Sequence, residues 1–548
     1  MTDLVYLKPE VKLEPLVCRW WAWSHLVAPA QLALHLNQRI LPLLQNFVDN
    51  PMVHVSANRD PNMYGGPFVS LAESDVERVT QLIADTKTEC ADLIRLGEDL
   101  RALDTELQKS AQGFSLHEFY DKLPESLRGL IEFTYDVHHR PSFRFFEPLL
   151  YQTGMARHAQ EIMLQLTSEN DRHFFMSTPR LEAPGCEFFR MPFADPRLDT
   201  LCRMRQQPAS FTEIARLFDV NDDRLESFRS FFTDKAPRRR SGQDYVGDGV
   251  RMRFFGHACV LLQTDEVSVL FDPFFSIEES DELRLTINDL PEVIDYVVIS
   301  HAHQDHLAPE MLLQIRHRIK RFVVPANNSG NIADPSVKLT LQELGFNDID
   351  VLDCYDSVKI PGGEITSLPF TGEHADMPIF SKHAVLVEMA GRKFMFLIDS
   401  DGRDVMMYRR MMQRVGQVDA LFIGMECVGA PLNWLYEPLL AKPVNRRSNE
   451  SRRLSGADCQ RASNILAEIN SPRVFVYAMG QEPWMKCIMG LQYSADSTQL
   501  TEADKFVAHC NDSGIPAERL YIRREVVFEH EASPSAAPSP SELANADA

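Results

Sequence analysis

Four side chains of metal-ligand type fall within six residues of one another: His301, His303, Asp305 and His306, in the stretch DYVVISHAHQDHL from Asp295 to Leu307. Only 17 of the 548 residues are histidine, so three interleaved with an aspartate form a concentrated signal. Imidazole and carboxylate together make a donor set for transition metals such as zinc and iron. An apolar run, Ile294 to Ser300, precedes them and suits a buried strand, so the cluster is expected at a strand end. In an extended turn, residues two apart point the same way. His301 and His303 are thereby predicted to grip one metal. Asp305 and His306, offset by one, would reach a second beside it. Histidines of an ordinary polar surface loop would not need this spacing.

The elements that must position this cluster can be read around it. Up to about residue 240 the pattern is mainly helical, and apolar spacing predicts a long helix from Ser74 to Ser110, with Ser74 as N-cap and Glu77 completing a capping box. The segment Lys235 to Gly249 is rich in Pro, Gly and charge and marks a domain boundary. Short β-runs follow: Val250 to Leu262, Val267 to Phe271, Ile294 to Ser300, Arg321 to Pro325, Asp348 to Leu352 and Ile365 to Phe370. Ala384 to Ile398 reads as a hairpin, with Ala420 to Met425 and Val474 to Met479 after it. Helices are expected at Pro309 to Ile319 and Cys459 to Ile469. The domains expected are therefore 1–240, a linker 241–249, an α/β domain 250–530, and a Ser/Pro/Ala tail 531–548 that should be disordered.

Composition excludes several classes. The net charge of −22 argues against general nucleic-acid binding and against docking on anionic membranes. The N-terminus lacks the basic start and apolar core of a signal peptide, and Val17 to Leu36 is too interrupted by polar residues to span a bilayer. Ten scattered cysteines without a CxxC pair suit reduced thiols in a cytoplasmic protein.

The cluster His301-x-His303-x-Asp305-His306 resembles the metal motif of the metallo-β-lactamase fold. That implies a C-terminal αββα sandwich, α/β in class, behind a mainly helical (α+β) N-terminal domain. Gly256–His257–Ala258 and Asp272–Pro273 look like the entry of that fold, with Asp272 orienting a ligand and His257 packed or hydrogen-bonded outside the ligand set. Thr371–Gly372–Glu373–His374 stands where hydrolases of this fold offer a third histidine, and Asp399 stands where they place a bridging aspartate. The late strand, however, runs into Gly480–Gln481–Glu482–Pro483–Trp484 without the expected last histidine. A site with fewer imidazoles and more carboxylates is harder and more anionic, which suits iron as in carboxylate-rich diiron proteins. Whether Glu373 or His374 ligates decides between the two characters, and the residues alone leave both open.

The chain also closely resembles, over almost its whole length, the diiron β-hydroxylases of nonribosomal peptide and chloramphenicol biosynthesis. The resemblance implies that His301, His303, Glu373 and Asp399 hold one iron, and that Asp305, His306 and the shared Asp399 hold the other. It further implies a monooxygenase that uses dioxygen and two external electrons on an aminoacyl thioester carried by a synthetase carrier domain, working as a homodimer. The competing function is a dizinc hydrolase, a thioesterase or lactonase, with His374 as ligand; a third is a scaffold whose site has decayed, against which the intact cluster counts. Two further groups are candidates. Glu426, after the run Ala420 to Met425, is placed to pair with a substrate ammonium or to hydrogen-bond a ligand, while Tyr436 and Glu437 read as ordinary structure. Lys442 to Arg453, with Arg446, Arg447, Arg452 and Arg453, is a basic run in an acidic chain that could dock an acidic carrier domain, as could Arg238 to Arg240.

Overall fold

The computed structural model describes residues 3–60, 63–237, 243–278, 284–372, 374–490 and 493–529. Glu373, Arg238 to Arg240 and the tail 531–548 lie outside them.

Two seven-stranded sheets face each other. The first runs, in spatial order, Ile349–Leu352, Ile319–Pro325, Ile294–Val298, Ser268–Phe271, Val260–Gln263, Val250–Phe254 and Arg524–Phe528. The second runs Ser357–Ile360, Gly363–Leu368, Ala384–Met389, Arg392–Phe396, Ala420–Gly424, Val474–Tyr477 and Ala517–Arg519. Alternate side chains of both point into a shared core, as the two-residue period of a strand requires. Phe271 stacks on Phe396 at 3.9 Å, Phe396 on Phe422 at 4.4 Å and Phe422 on Phe475 at 4.8 Å, an aromatic ladder that crosses the sandwich and runs along the second sheet. The outer face of the second sheet is covered by the helices Val405–Val415, Cys459–Ile469 and Thr498–Asp512. The outer face of the first sheet carries the helices Pro309–Ile315 and Val337–Glu343 and is continuous with the core of the N-terminal region. The αββα sandwich follows, and the N-terminal region is built onto one side of it.

That region mixes helices with sheet. A four-stranded sheet joins Trp20–Trp21, Val11–Val17, Gln160–Leu166 and Cys186–Arg190, and Leu4–Leu7 pairs with Ala209–Ser210 and Phe232–Thr233. The long helix expected from Ser74 is two helices, Val76–Glu89 and Ala91–Ser110, broken at Cys90, whose φ of −110° and ψ of 27° are not helical. Ser74 is no N-cap. It sits inside a 3₁₀ turn, Glu73–Asp75, and the Asp75 carboxylate takes the backbone N–H of Ala72. Val250 to Leu262 is likewise two strands, because Gly256 (φ 109°) and His257 (φ 47°) turn the chain between them. Among the described residues no helix is long and apolar enough to cross a membrane.

Candidate metal centre

The strand Ile294–Val298 ends inside the fold, and the residues beyond it are held by Asp272. Asp272 closes the neighbouring strand Ser268–Phe271. Its carboxylate accepts the backbone N–H of Ser300 at 2.8 Å and the Ser300 hydroxyl at 2.6 Å. The same carboxylate lies 2.8 Å from His306 Nδ1. Asp272 therefore does what its place in the sequence suggested.

These outer contacts decide which ring nitrogens carry lone pairs. The Ser300 hydroxyl donates to Asp272, so it accepts from His301 Nδ1–H at 3.0 Å, leaving a lone pair on His301 Nε2. His306 Nδ1–H donates to Asp272, leaving a lone pair on Nε2, which lies 3.0 Å from Asp399 Oδ2 and 3.6 Å from Asp305 Oδ2. His303 Nε2 meets the Tyr436 hydroxyl at 2.8 Å, while Nδ1 faces His301 Nε2 at 3.0 Å. With the outer nitrogens donating, lone pairs and carboxylate oxygens converge on one another, an arrangement that is repulsive without a cation between them. His306 Nε2 is buried and makes no hydrogen bond among the described residues. The residues fit a metal centre on this ground alone.

The surroundings also favour positive charge at the site. Burial lowers His301, and it lowers His303 to about 4, aided by neighbouring imidazoles. Burial works against charge on His306, but Asp305, Asp399 and Asp272 outweigh it and raise His306 well above the ordinary imidazole value. That is the response of an imidazole standing where positive charge belongs. Burial would raise Asp305, yet His306 and His257 hold it below the usual carboxylate range.

Among the described residues three overlapping groups of donors form, and the one with Asp399 joins the other two through His301 and His306. His301, His303 and His374 bring one ligand atom each within 4.8 Å of one another, as do His257, Asp305 and His306. Asp399 Oδ2 is 3.6 Å from His301 Nε2 and 3.0 Å from His306 Nε2, the place of a shared ligand. His374 stacks on His303 at 4.5 Å, and its buried Nδ1 makes no hydrogen bond among the described residues. The structure therefore brings His374 to the first group, and Glu373 lies outside the described residues. His257 accepts the backbone N–H of Gly480 on Nδ1 at 3.1 Å, which leaves its proton on Nε2, 3.1 Å from Asp305 Oδ2. In that tautomer the His257 Nε2 proton faces Asp305, which suits a residue that orients Asp305 better than a ligand. The late strand thus reaches the site without a histidine of its own: Gly480, just past it, donates to His257, and the buried Glu482 carboxylate accepts the backbone N–H of His257.

The sequence reading missed Tyr436 and Gly424. A Cβ at Gly424 would stand 2.7 Å from Asp399 Oδ1 and 2.7 Å from Ile398 O, so only glycine lets the two strand ends approach. The one available signal was its position at a strand end opposite Asp399.

A cavity of about 830 Å³ opens onto this centre, with His303, Gln304, Asp305 and Glu426 among its lining residues. Its walls are mixed, with apolar Phe174, Met176, Trp434, Leu435 and Met489 beside polar residues, and both the N-terminal region and the sandwich contribute. Glu426 is half-buried just past the strand Ala420–Gly424; burial, then Asp305 and Asp399, raises its carboxyl well above the usual range. Arg446 and Arg447 are exposed on the helix Arg446–Ser451, whose Asn449 lines the cavity together with Arg453. Arg452 and Arg453 are partly committed inward, to the carbonyls of Ala375 and Gly429.

A family model described as the diiron non-heme beta-hydroxylase N-terminal domain matches residues 6–237, and one for the beta-lactamase superfamily domain matches residues 251–406. The 4-amino-L-phenylalanyl-(CmlP peptidyl-carrier-protein) 3-hydroxylase of Streptomyces venezuelae is 33% identical over 531 residues, covering 94% of this chain and 98% of that protein. The crystal structure of CmlA, a diiron beta-hydroxylase from Streptomyces venezuelae, superposes with a TM-score of 0.89 at 32% identity, covering 96% of this chain and 99% of that one. A metal-dependent hydrolase of Christiangramia forsetii is 34% identical over 58 residues, which is 11% of this chain and 25% of its own. Hydrolase likeness is thus local, and hydroxylase likeness spans the N-terminal region as well. Fold and site define a two-metal enzyme on a metallo-β-lactamase framework. The chain belongs to the diiron non-heme β-hydroxylase family, whose cofactor is a pair of iron ions.

Proposed function

We propose that this enzyme hydroxylates the β-carbon of an amino acid held as a thioester on the carrier domain of a nonribosomal peptide synthetase, in natural-product biosynthesis. The observation that carries the reading is the cavity, which is large enough for a tethered aminoacyl arm and ends at His303, Asp305 and Glu426. The relative from Streptomyces venezuelae is named for such a carrier-bound substrate. In this reading the family resemblance makes Glu373 a ligand of the first iron with His301, His303 and Asp399, His374 packing against His303 on the same side, and Asp305, His306 and Asp399 hold the second. The domains run 1–240 and 250–530 with a linker between. The protein is a cytoplasmic homodimer that takes electrons from an external donor. Arg446 and Arg447, at the edge of the cavity, receive the carrier domain.

When bound, the two irons supply the oxidising power that cleaves a C–H bond with dioxygen and electrons. The chain's own residues supply position. Phe174, Trp434 and Met489 hold the amino-acid side chain and keep water out. Glu426 faces the α-ammonium, which sets the β-carbon on the side of His303 and Asp305. Ser300, Asp272, Tyr436 and His257 keep each ligand turned to its metal.

The test is intact-mass measurement of an aminoacyl carrier protein after incubation with iron-loaded enzyme, reductant and dioxygen. Gain of one oxygen atom supports hydroxylation, and loss of the aminoacyl group supports the hydrolase.

A further inference from the structure

Tyr436 read as ordinary structure in the sequence, and its place in the fold is unusual. Its ring is 1% exposed, its hydroxyl is 2.8 Å from His303 Nε2, and it ends the short helix Leu432–Tyr436, whose Asn433, Trp434 and Leu435 wall the substrate cavity. On its other side lies His25 of the N-terminal region, ring to ring at 6.1 Å, while Ser24 donates to the carbonyl of Ala302, between the two ligand histidines, at 2.7 Å. The N-terminal region therefore contacts both Tyr436 and the loop that carries His301 and His303.

We propose that Tyr436 is a positioning residue for the first metal: its oxygen accepts His303 Nε2–H, which fixes the ring, holds the lone pair on Nδ1 and makes that nitrogen a stronger donor. The two ring nitrogens divide the work: Nδ1 lies 3.0 Å from His301 Nε2, and the opposite nitrogen is the one that Tyr436 holds. Outer hydrogen bonds of this kind change metal affinity by about 10–100-fold when removed. A stronger nitrogen donor also favours the oxidised metal, so losing the bond raises the reduction potential.

This inference rests on His303 being a ligand, and the experiment separates the two. Tyr436→Phe, Tyr436→Gln and His303→Gln are reconstituted with ferrous iron, and iron stoichiometry, iron affinity and the midpoint potential of the centre are measured with the melting temperature. Tyr436→Phe keeps the ring and is expected to weaken first-site affinity by about 10–100-fold and to raise the potential, with an unchanged melting temperature. Tyr436→Gln, which keeps an oxygen acceptor, is expected to recover part of the affinity. His303→Gln is expected to empty the first position. Full iron affinity and an unchanged potential in Tyr436→Phe overturn the role of Tyr436. Full iron binding in His303→Gln overturns the ligand assignment beneath it.

Discussion

An imidazole aims one lone pair at a metal, and its partner on the far side decides which. Here Ser300 and Asp272 meet the outer nitrogens of His301 and His306, Tyr436 meets that of His303, and Gly480 donates to His257. The candidate ligands His301, His303, Asp305 and His306, which the fold brings together, were legible because they are neighbours in sequence. Asp399 was legible only through family resemblance. Tyr436 and Gly480 were not legible, since a hydrogen bond across 133 or 223 residues leaves no local pattern. At Glu426 the same scale gives a prediction. Glu426→Gln keeps the shape but cannot ionise; a substrate ammonium beside Glu426 would counter the burial and the neighbouring carboxylates that hold its carboxyl high. The apparent KM for aminoacyl carrier protein should rise, or kcat fall, by about 10–100-fold, matching the ~1.5–3 kcal/mol of a hydrogen bond to a charged group, with iron content unchanged. Turnover at the wild-type rate would remove Glu426 from the substrate site.

Elements put those residues in reach. Two strand ends at the site stop where the backbone bends: Asp272 has φ 36° and Ile398, just before Asp399, has φ 49°. The strands themselves were visible in the apolar runs. Their ends were less so, and Arg524–Phe528 escaped notice because its alternation, REVVF, is short and charged, although it pairs with all five residues of Val250–Phe254. The break at Cys90 was hidden because apolar spacing continues across it in the helical period. Packing of strand ends is tight enough to test. Gly424→Ala would place a methyl 2.7 Å from the Asp399 carboxylate. Loss of at least half the bound iron is expected, together with about 1–3 kcal/mol of destabilisation from overpacking, read by metal analysis and denaturant titration. An iron-replete, equally stable variant would show that Asp399 has room the structure denies it.

At the scale of the whole molecule, the N-terminal region completes the sandwich's site, walling the cavity with Phe174 and Met176 and reaching behind the ligand loop with Ser24 and His25. This explains why family likeness extends over both halves. A protein of net charge −22 that receives an acidic carrier domain needs a local positive surface. Arg446 and Arg447 offer one beside the cavity, whereas Arg452 and Arg453 are partly spent on carbonyls. Reversing Arg446 and Arg447 to Glu should raise the KM for carrier protein roughly twofold to thirtyfold at low salt, from ~0.2–1 kcal/mol per exposed pair. The effect should shrink as salt screens it. A KM unmoved at low salt would place the docking surface elsewhere. The central claim is the chemistry itself. Intact-mass analysis of an aminoacyl carrier protein, incubated with iron-loaded enzyme, reductant and isotopically labelled dioxygen, tests it most directly. The account predicts gain of one labelled oxygen on a still-tethered amino acid; an unlabelled product, or a carrier stripped of its aminoacyl group, would contradict it.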